Sequence, residues 1–429
     1  MLKKILGTAG TRILNAVITF GLLFVITHNL GSKGMGTIGL ILLDINIIQM
    51  FIDLFAGSAL IFMASRTSLS NLLFISYTWI IVVIVFFAFL FGVTGNLFPE
   101  IYYTVVPRGY EFHILVLTVI SAYMLTHYNL LLGKERIKAF NVLFTLQVFI
   151  LFSVFTYLIF VEGEKTVMSY VIALYVSYST GAVISFITLL YRERNLRIYN
   201  LSKVIKDVFH FGFVTSVANL FHIGNKRVGY YFIRFFTGLS SLGIYTAGSQ
   251  LTEGLKLIGQ SISLVQFTTL SNSTDTDYAK NLTVKLMKVS VLLTFLALVV
   301  LFIIPVSVYV LLFGPDFFQV KSVIMFLSPG VIALSANTVF AHFFSGTGNP
   351  KINLYSNAIG FFVVLVLVLI LIPVYGFMGA AIAVSVSYLV SLIYNYIRFK
   401  AQTGVVFKEL MPGMSDIVEF RSLLKKPEV

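Results

Sequence analysis

Residues 357–390 read NAIGFFVVLVLVLILIPVYGFMGAAIAVSVSYLV, and no Asp, Glu, Lys or Arg occurs between Lys351 and Arg398. A helix that crosses the hydrocarbon core of a membrane needs about 20 mostly apolar residues. The uncharged residues 352–397 are long enough for two such helices, and Pro373 and Gly376 stand where one would end and the next begin. The sequence therefore predicts a hairpin of two membrane-spanning helices in this part of the chain.

The composition of the whole chain excludes several classes of protein. Of its 429 residues, 58% are apolar and 11% are charged, against about 45–50% and about 25% in soluble domains. The mean hydropathy of +0.95 excludes a soluble globular protein, a disordered chain, a collagen and a coiled coil. The absence of cysteine excludes disulfides and thiolate metal sites. We predict an all-α polytopic membrane protein with no metal and no cofactor.

Twelve apolar segments are long enough to span a bilayer. They cover residues 5–30, 36–63, 72–97, 113–132, 140–161, 167–191, 209–236, 241–269, 286–312, 319–345, 352–373 and 377–398. They divide into a six-helix lobe over 1–191 and a second six-helix lobe over 209–398. Between them, the apolar residues of 192–208 recur at helical spacing among basic residues, which predicts an amphipathic linker on the cytoplasmic surface. Residues 399–429 are predicted to form a cytoplasmic tail.

The basic residues predict the orientation in the membrane. With the amino terminus inside, 21 Lys and Arg residues fall on the cytoplasmic side and 5 on the opposite side. Such an excess is typical of cytoplasmic loops, so we expect both termini in the cytoplasm. This asymmetry accounts for most of the net charge of +13, and no nucleic-acid partner is needed to explain it.

Three short motifs recur in the same order in the two halves. Their members are Gly31-x4-Gly36 with Gly238-x4-Gly243, Phe98-Pro99-Glu100 with Gly314-Pro315-Asp316, and His127-x5-Gly133 with His342-x5-Gly348. The first pair is offset by 207 residues (238 − 31) and the other two pairs by 216 and 215. Nearly equal offsets indicate a duplication. Each repeat has an even number of spans, so the two should be related by an axis along the membrane normal, with a transport path between them.

Polar residues inside the spans form stripes at about 100° per residue. A charge in the bilayer core is costly and should face the protein interior or water. The predicted substrate-binding residues on these stripes are Arg12, Asn15, Asn219, His222, Lys226, Arg227, Arg234, Lys256 and Gln260. The predicted ion-coupling residues are Asp53 and Glu253, the two carboxylates of the stripes. A shift of 207 residues places Arg12 on Asn219 and Asp53 on Gln260, so the stripes also follow the repeat.

The stripes carry five cations against two carboxylates, which leaves a net charge of +3. A basic cavity suits an anionic group such as phosphate, which Arg can bind through two hydrogen bonds. Structural interpretations remain open beside this one. Glu253 and Lys256, at i and i+3, could neutralise each other, and Arg12 could extend to the cytoplasmic surface. Lys226 and Arg227 could form a purely structural ion pair.

With these residues in place, the chain resembles the multidrug/oligosaccharidyl-lipid/polysaccharide exporter superfamily, and within it the branch of Wzx-type O-antigen flippases. The resemblance runs from about residue 5 to residue 400. The residues that carry it are Gly31-x4-Gly36, Gly238-x3-Leu242-Gly243-Ile244-Tyr245, Leu312-Phe313-Gly314-Pro315, Ser345-Gly346-Thr347-Gly348-Asn349-Pro350 and Ile372-Pro373-x2-Gly376-x2-Gly379-Ala380-Ala381.

The resemblance implies two six-helix lobes that form a V around a central cavity lined by spans one, two, seven and eight. It implies alternating access in the bacterial cytoplasmic membrane and transport of an undecaprenyl-pyrophosphate-linked oligosaccharide for surface polysaccharide assembly. The expected partners are this substrate, membrane lipids, a proton or sodium counter-ion and polysaccharide polymerases. The chain departs from the family near the outer end of span seven, where Asn225-Lys226-Arg227 stands in a region that often carries an acidic residue.

Three other functions stay open at this stage. A drug/cation antiporter of the same superfamily would favour an acidic cavity, and a lipid II flippase usually has fourteen spans. A membrane-embedded glycosyltransferase, polymerase or ligase would need catalytic carboxylates or a large outer loop. The outer loops here are short and their acidic residues are scattered, so we predict a transporter and not an enzyme.

Overall fold

In the computed structural model of the protein, the described residues are 2–191, 198–270, 275–349 and 351–410. Within these ranges the side chains of residues 2–9, 13, 214, 215, 257, 258, 260–265 and 267–269 are not described. The described residues are almost entirely helical, and no strand occurs among them. The predicted all-α fold class is confirmed.

The first half of the chain forms seven helices. They are α1 (Leu2–Ala56), α2 (Ser58–Met63), α3 (Leu69–Leu97), α4 (Pro99–Val105), α5 (Glu111–Gly133), α6 (Ile137–Phe160) and α7 (Val167–Leu190). α1 has 55 residues and bends at Gly31, whose φ of 64° is outside the helical region. A positive φ of this kind favours glycine. The bend divides α1 into predicted span one and most of predicted span two. The last residues of that span form the separate helix α2, so its predicted continuity to residue 63 is wrong.

The second half of the chain forms eight further α-helices and a short 3₁₀ turn over Pro315–Phe317. The helices are α8 (Leu201–Thr237), α9 (Leu239–Leu270), α10 (Thr276–Ile303), α11 (Val306–Phe313), α12 (Val320–Gly346), α13 (Lys351–Tyr375), α14 (Phe377–Thr403) and α15 (Phe407–Leu410). Residues 201–208, part of the predicted linker, are the first turns of α8. Residues 192–197 and most of the predicted tail, from residue 411 onward, lie outside the described residues.

Ten helices in the described part of the chain are long and apolar enough to cross a membrane. The first of them, Gly10–Met63, has 54 residues and is long enough for two crossings on either side of the bend. With the 32-residue α9, the long helices agree with about twelve spans.

The chain divides into two compact units. The first comprises Met1–Leu220, Gly238–Gly243 and Leu312–Gly314, and the second comprises Phe221–Thr237, Ile244–Leu311 and Pro315–Val429. In the first unit α1 packs against α3, α5 and α6, and α7 packs against α5 and α6. In the second, α14 packs between α12 and α13. The lobe boundary at 192–208 stays a prediction.

The predicted limits of span nine, 286–312, are wrong. α10 begins ten residues earlier, at Thr276, because the Asp275 side chain caps it by accepting bonds from the backbone N–H groups of Asp277 and Tyr278 at 2.9 and 3.0 Å. The helix ends at Ile303, just before Pro305, which cannot donate a backbone hydrogen bond. The apolar residues beyond it form the separate helix α11.

Two repeated glycine motifs meet inside the first unit. A Cβ atom built on Gly36 would lie 2.1 Å from the carbonyl oxygen of Leu239, and one built on Gly243 would lie 1.9 Å from that of Ser32. Gly31 and Gly238 both have a positive φ, 64° and 91°. The duplicated sequence therefore builds two glycine turns whose following helices cross without side chains between them.

The predicted hairpin near the end of the chain is present as α13 and α14. The two helices are separated by Gly376 alone, which has a φ of 60°. A Cβ on Gly379 would lie 2.3 Å from the carbonyl oxygen of Leu371. Small residues at this end thus let the two backbones approach closely, as is common between membrane helices.

Candidate functional site

Glu253 is the centre of a charged cluster in the second unit. Its Oε2 atom lies 2.6 Å from Lys226 Nζ, and its Oε1 atom lies 3.1 Å from Arg227 Nη2. The three side chains are 24%, 21% and 27% exposed for Lys226, Arg227 and Glu253. One carboxylate is therefore shared by two adjacent cations, at a place that solvent reaches in part.

The cluster depends on the antiparallel packing of α8 and α9. Only Gly238 separates the two helices, so residues before the turn on α8 face residues after it on α9. Near the turn, the buried rings of Tyr230 and Tyr245 pack edge to face, with centroids 5.4 Å apart. Further from the turn, Arg227 meets Glu253. The short turn thus fixes the register that brings the charges together.

A chain of hydrogen bonds holds Arg227 in place. Arg227 Nη1 donates to the Tyr230 hydroxyl, and the guanidinium carbon lies 4.8 Å from the centre of the same ring. The Tyr230 hydroxyl lies 2.8 Å from Ser249 Oγ, which in turn donates to the Thr246 carbonyl at 3.0 Å. Because the Ser249 hydroxyl donates its proton to the Thr246 carbonyl, its oxygen accepts the hydrogen bond from the Tyr230 hydroxyl. The Tyr230 oxygen is then left as the acceptor for Arg227.

A second pair extends the cluster away from the turn. Lys256 Nζ lies 3.1 Å from His222 Nε2. An ammonium group can only donate, so His222 accepts through Nε2 and its imidazole is neutral, with the proton on Nδ1. Lys256 forms no ion pair with Glu253 among the described residues. The direct ion pairs of Glu253 are to Lys226 and Arg227 on α8, but Glu253 and Lys256 still attract each other electrostatically. The alternative in which these two charges neutralise each other along α9 therefore stays open.

The cluster has more positive than negative charge. Lys226, Arg227 and Lys256 provide three cations, and Glu253 provides one carboxylate. Charges in a membrane-spanning region are costly unless they are paired or hydrated. The surplus makes the cluster a candidate binding site for an anion, and the planar Arg227 guanidinium is suited to two hydrogen bonds with a phosphate group.

Asn225 anchors α8 next to the cluster by a hydrogen bond to α14. The sequence did not single it out as a site residue. It is 3% exposed, and its Oδ1 atom accepts a hydrogen bond from Ser387 Oγ on α14 at 2.5 Å. The Ser387 hydroxyl also lies 3.0 Å from the Gly360 carbonyl on α13. Asn225 therefore fixes the part of α8 that presents Lys226 and Arg227. Its only sequence signal was its place beside them.

The remaining predicted residues on α8 and α9 are Arg234, Gln260 and Asn219. Arg234 lies nearer the turn, and its Nε atom is buried with no hydrogen-bond partner among the described residues. Gln260 belongs to α9, but its side chain lies outside the described residues. Asn219 is half-buried on α8, in the part of the helix that belongs to the first unit.

Three predicted residues lie on α1 in the first unit. Arg12 is exposed, while Asn15 is buried and its Oδ1 atom has no hydrogen-bond partner in the described part of the chain. Asp53 accepts a hydrogen bond from Gln49 Nε2 at 2.9 Å. Gln49 and Asp53 therefore share one face of α1. No described Lys or Arg forms an ion pair with Asp53.

Comparison with known sequences gives a partial match. No protein-family profile matches the chain. A curated relative, an uncharacterized membrane protein of Methanocaldococcus jannaschii, is 26% identical over 201 residues, which are 45% of this chain and 39% of that protein. The match thus spans well under half of the relative's length.

Three solved structures have the same fold. The lipid II flippase MurJ in an inward closed conformation matches with a TM-score of 0.72 and 15% identity, over 100% of this chain and 94% of that one. An inward-facing multidrug transporter of the MATE family matches with a TM-score of 0.72 and 12% identity, over 94% and 99%. A transporter of the same superfamily from Pyrococcus furiosus, described as having a binding pocket of reverse polarity, matches with a TM-score of 0.62 and 12% identity, over 94% and 96%. The chain has the fold of these transporters, and its place in the exporter superfamily and in the O-antigen branch stays a prediction.

Proposed function

We propose that the protein is a flippase that moves a polyprenyl-pyrophosphate-linked oligosaccharide across the cytoplasmic membrane by alternating access. The observation that carries this proposal is the sharing of Glu253 by Lys226 and Arg227, with a surplus of positive charge around it. A pyrophosphate group would supply the negative charge that the cluster lacks. The glycan would occupy a wet cavity, and the polyprenyl tail would remain in lipid.

In this proposal Glu253 occupies the cation pair when no substrate is bound. The pyrophosphate oxygens compete with the carboxylate for Lys226 and Arg227. The pyrophosphate binds the two cations more tightly because it carries more negative charge and can accept two hydrogen bonds from the guanidinium. Tyr230 keeps Arg227 oriented throughout, since its hydroxyl bonds a different nitrogen, Nη1. When the substrate leaves, Glu253 returns and neutralises part of the cluster. The returning carboxylate thereby competes with rebinding of the substrate.

Energy coupling is assigned to the two carboxylates. A Glu253 that has left its cations is a candidate to take up a proton, because burial disfavours its charged form. Asp53 has no cation partner among the described residues and is hydrogen-bonded to Gln49, so it is the second candidate for a proton or sodium ion. The proposed orientation has both termini in the cytoplasm. Polysaccharide polymerases are the proposed protein partners.

The chemistry of the cluster favours this class of substrate over the alternatives. A cationic drug would be repelled by the surplus charge. A lipid II substrate also carries a pyrophosphate, so the similarity to MurJ is consistent with the proposed headgroup. An O-antigen-like glycan remains our preferred cargo on the sequence resemblance.

The test is export by variants of the cation pair. In a strain whose own flippase has been deleted, Lys226→Gln with Arg227→Gln should abolish surface-glycan export while the protein remains abundant in the membrane. Losing charge-assisted hydrogen bonds worth about 1.5–3 kcal/mol each should weaken binding more than about tenfold. The matched control is Lys351→Gln with Lys400→Gln, which removes two exposed cations of the same unit outside the cluster. Full export by the Lys226/Arg227 variant would remove the pair from the substrate site.

A further inference from the structure

A separate cavity of about 570 Å³ lies wholly within the first unit. It opens between the connection from α2 to α3 and the first turns of α8. Charged and aromatic side chains line it, among them Phe62, Arg66, Lys203, Asp207, His210 and Phe211. The basic residues of both segments belong to the side that the charge asymmetry assigns to the cytoplasm. The cavity is therefore expected at the level of the lipid headgroups.

One wall of the cavity is an exposed aromatic pair. The rings of Phe62 and Phe211 are stacked, with centroids 4.4 Å apart and planes inclined by 5°. Both side chains remain substantially exposed, at 41% and 37%. Arg66 lies over the Phe62 ring, its guanidinium carbon 3.3 Å from the centroid. Stacking of this kind leaves the N–H groups at the guanidinium edge available for an anion.

A buried amide outside the lining fixes the position of Tyr199, another residue of the cavity. Asn71 is fully buried, and its Nδ2 atom donates to the Tyr199 carbonyl at 2.6 Å while its Oδ1 atom accepts from the Tyr199 N–H at 3.1 Å. These two bonds hold the segment before α8 against α3. Lys203 follows in the first turn of α8, where its backbone N–H donates to the Asn200 carbonyl at 3.1 Å. The cavity is thus formed before any ligand arrives.

The lining of the cavity carries a small surplus of positive charge. Arg66 and Lys203 are cations, Asp207 is an anion, and none of the three forms an ion pair with another described residue. With His210 neutral, the lining carries a net charge of +1. A phosphodiester carries one negative charge, whereas a pyrophosphate carries more and would leave the cavity unbalanced.

We propose that this cavity binds the headgroup of an anionic glycerophospholipid of the phosphatidylglycerol type. Arg66 and Lys203 contact the phosphodiester, and Asp207 accepts a hydrogen bond from a hydroxyl of the glycerol headgroup. The Phe62–Phe211 pair contacts the start of an acyl chain. The site is distinct from the Lys226–Arg227–Glu253 cluster and does not depend on the function proposed for it.

The test measures lipid retained by the purified full-length protein. Protein in a neutral detergent is mixed with phosphatidylglycerol, phosphatidylcholine or inorganic phosphate, and bound lipid is counted by native mass spectrometry. Arg66→Gln with Lys203→Gln should reduce phosphatidylglycerol binding about tenfold or more, which corresponds to about 1.4 kcal/mol. Phosphatidylcholine should bind poorly to every variant, and millimolar phosphate should not displace the lipid.

The matched control is Lys138→Gln with Lys206→Gln, two exposed cations of the same unit that do not line the cavity. This pair should leave binding unchanged, and thermal unfolding in detergent should show that both variants are folded. Equal loss of lipid from both pairs would mean that surface charge alone attracts the lipid, and it would overturn the proposal. Displacement by inorganic phosphate would overturn it as well, since the ligand would then be the free anion.

Discussion

Gly36 and Gly243 face each other across a helix contact that has no room for a side chain on either residue. A Cβ on Gly36 would overlap the Leu239 carbonyl oxygen, and a Cβ on Gly243 would overlap the Ser32 carbonyl oxygen. The two glycines occupy matching positions in the duplicated motif. The contact therefore joins equivalent positions of the duplicated motif, and its closeness explains why glycine is needed at both.

We expect Gly36→Ala and Gly243→Ala to destabilise the protein. The added methyl group must push two backbones apart, which costs about 1–3 kcal/mol for overpacking. The measurement is the midpoint of thermal unfolding in detergent. Gly92→Ala and Gly254→Ala are the controls, because both lie in helices with open space around the Cβ position. Alanine there should be neutral or stabilising by about 0.5–1 kcal/mol, and equal destabilisation by all four would contradict the overlap.

Replacing Glu253 with Gln should tighten substrate binding and slow transport. The variant leaves Lys226 and Arg227 without their shared carboxylate, so a pyrophosphate no longer has to displace it. Binding of the lipid-linked substrate and its rate of transport can both be measured in proteoliposomes. Glu253→Asp keeps the charge and should retain more of the transport rate. An unchanged affinity in Glu253→Gln would refute the competition between carboxylate and substrate.

Asn225→Ala should destabilise the second unit and impair the cation pair beside it. The substitution leaves the buried Ser387 hydroxyl with the Gly360 carbonyl alone, and loss of such a buried bond costs about 1–3 kcal/mol. Thermal unfolding of Asn225→Ala, Ser387→Ala and the double variant gives the coupling between them. Because the two side chains bond each other, the double variant should lose less than the two single losses added together; strict additivity would argue against the bond.

The Lys280–Glu409 ion pair should make the attachment of α15 depend on pH. Glu409 accepts bonds from the Val406 N–H at 3.0 Å and from Lys280 Nζ at 3.0 Å, and these lower the pKa of its carboxyl below the ordinary value of 4.5. A lowered pKa means that the contribution is present above pH 4.5 and is lost as the pH falls through the folded-state value. A spin label at position 408 should therefore become more mobile in acid, and Glu409→Gln should be mobile at every pH tested.

The orientation can be tested with single cysteines because the native chain has none. A cysteine at Asn200, which is exposed, should react with a membrane-impermeant thiol reagent only after the cells are opened. A cysteine at Lys165, exposed at the other end of α7, should react in intact cells. The reverse pattern would invert the orientation and with it the direction proposed for transport.

The spans could be predicted closely from the sequence, while several helix ends could not. Runs of apolar residues locate a membrane helix because the hydrocarbon core of the bilayer excludes polar side chains and unpaired backbone groups. α12, α13 and α14 begin within one residue of their predicted starts. α8 and α10 begin earlier than predicted, because helices continue beyond the hydrocarbon core as long as a cap such as Asp275 is in place. Hydropathy does not detect that continuation.

The sequence could predict which helix faces carry the polar residues of the candidate site, but not which of these residues pair with each other. Helical periodicity placed Lys226, Arg227 and Glu253 on polar stripes. It could not show that Glu253 pairs directly with both Lys226 and Arg227, since that depends on the register fixed by Gly238. Asn225 was missed because its role comes from Ser387, which lies 162 residues further along the chain.

The single-residue turn at Gly376 also constrains how the protein is made. α13 and α14 have no polar loop between them, so the ribosome delivers them to the membrane in immediate succession and they can enter the lipid as a pair. A premature stop codon after Gly376 would remove α14 and leave the small-residue face of α13 without its neighbour. We expect such a truncated chain to be recognised by membrane quality-control proteases and degraded, although every residue of the Glu253 cluster would still be encoded.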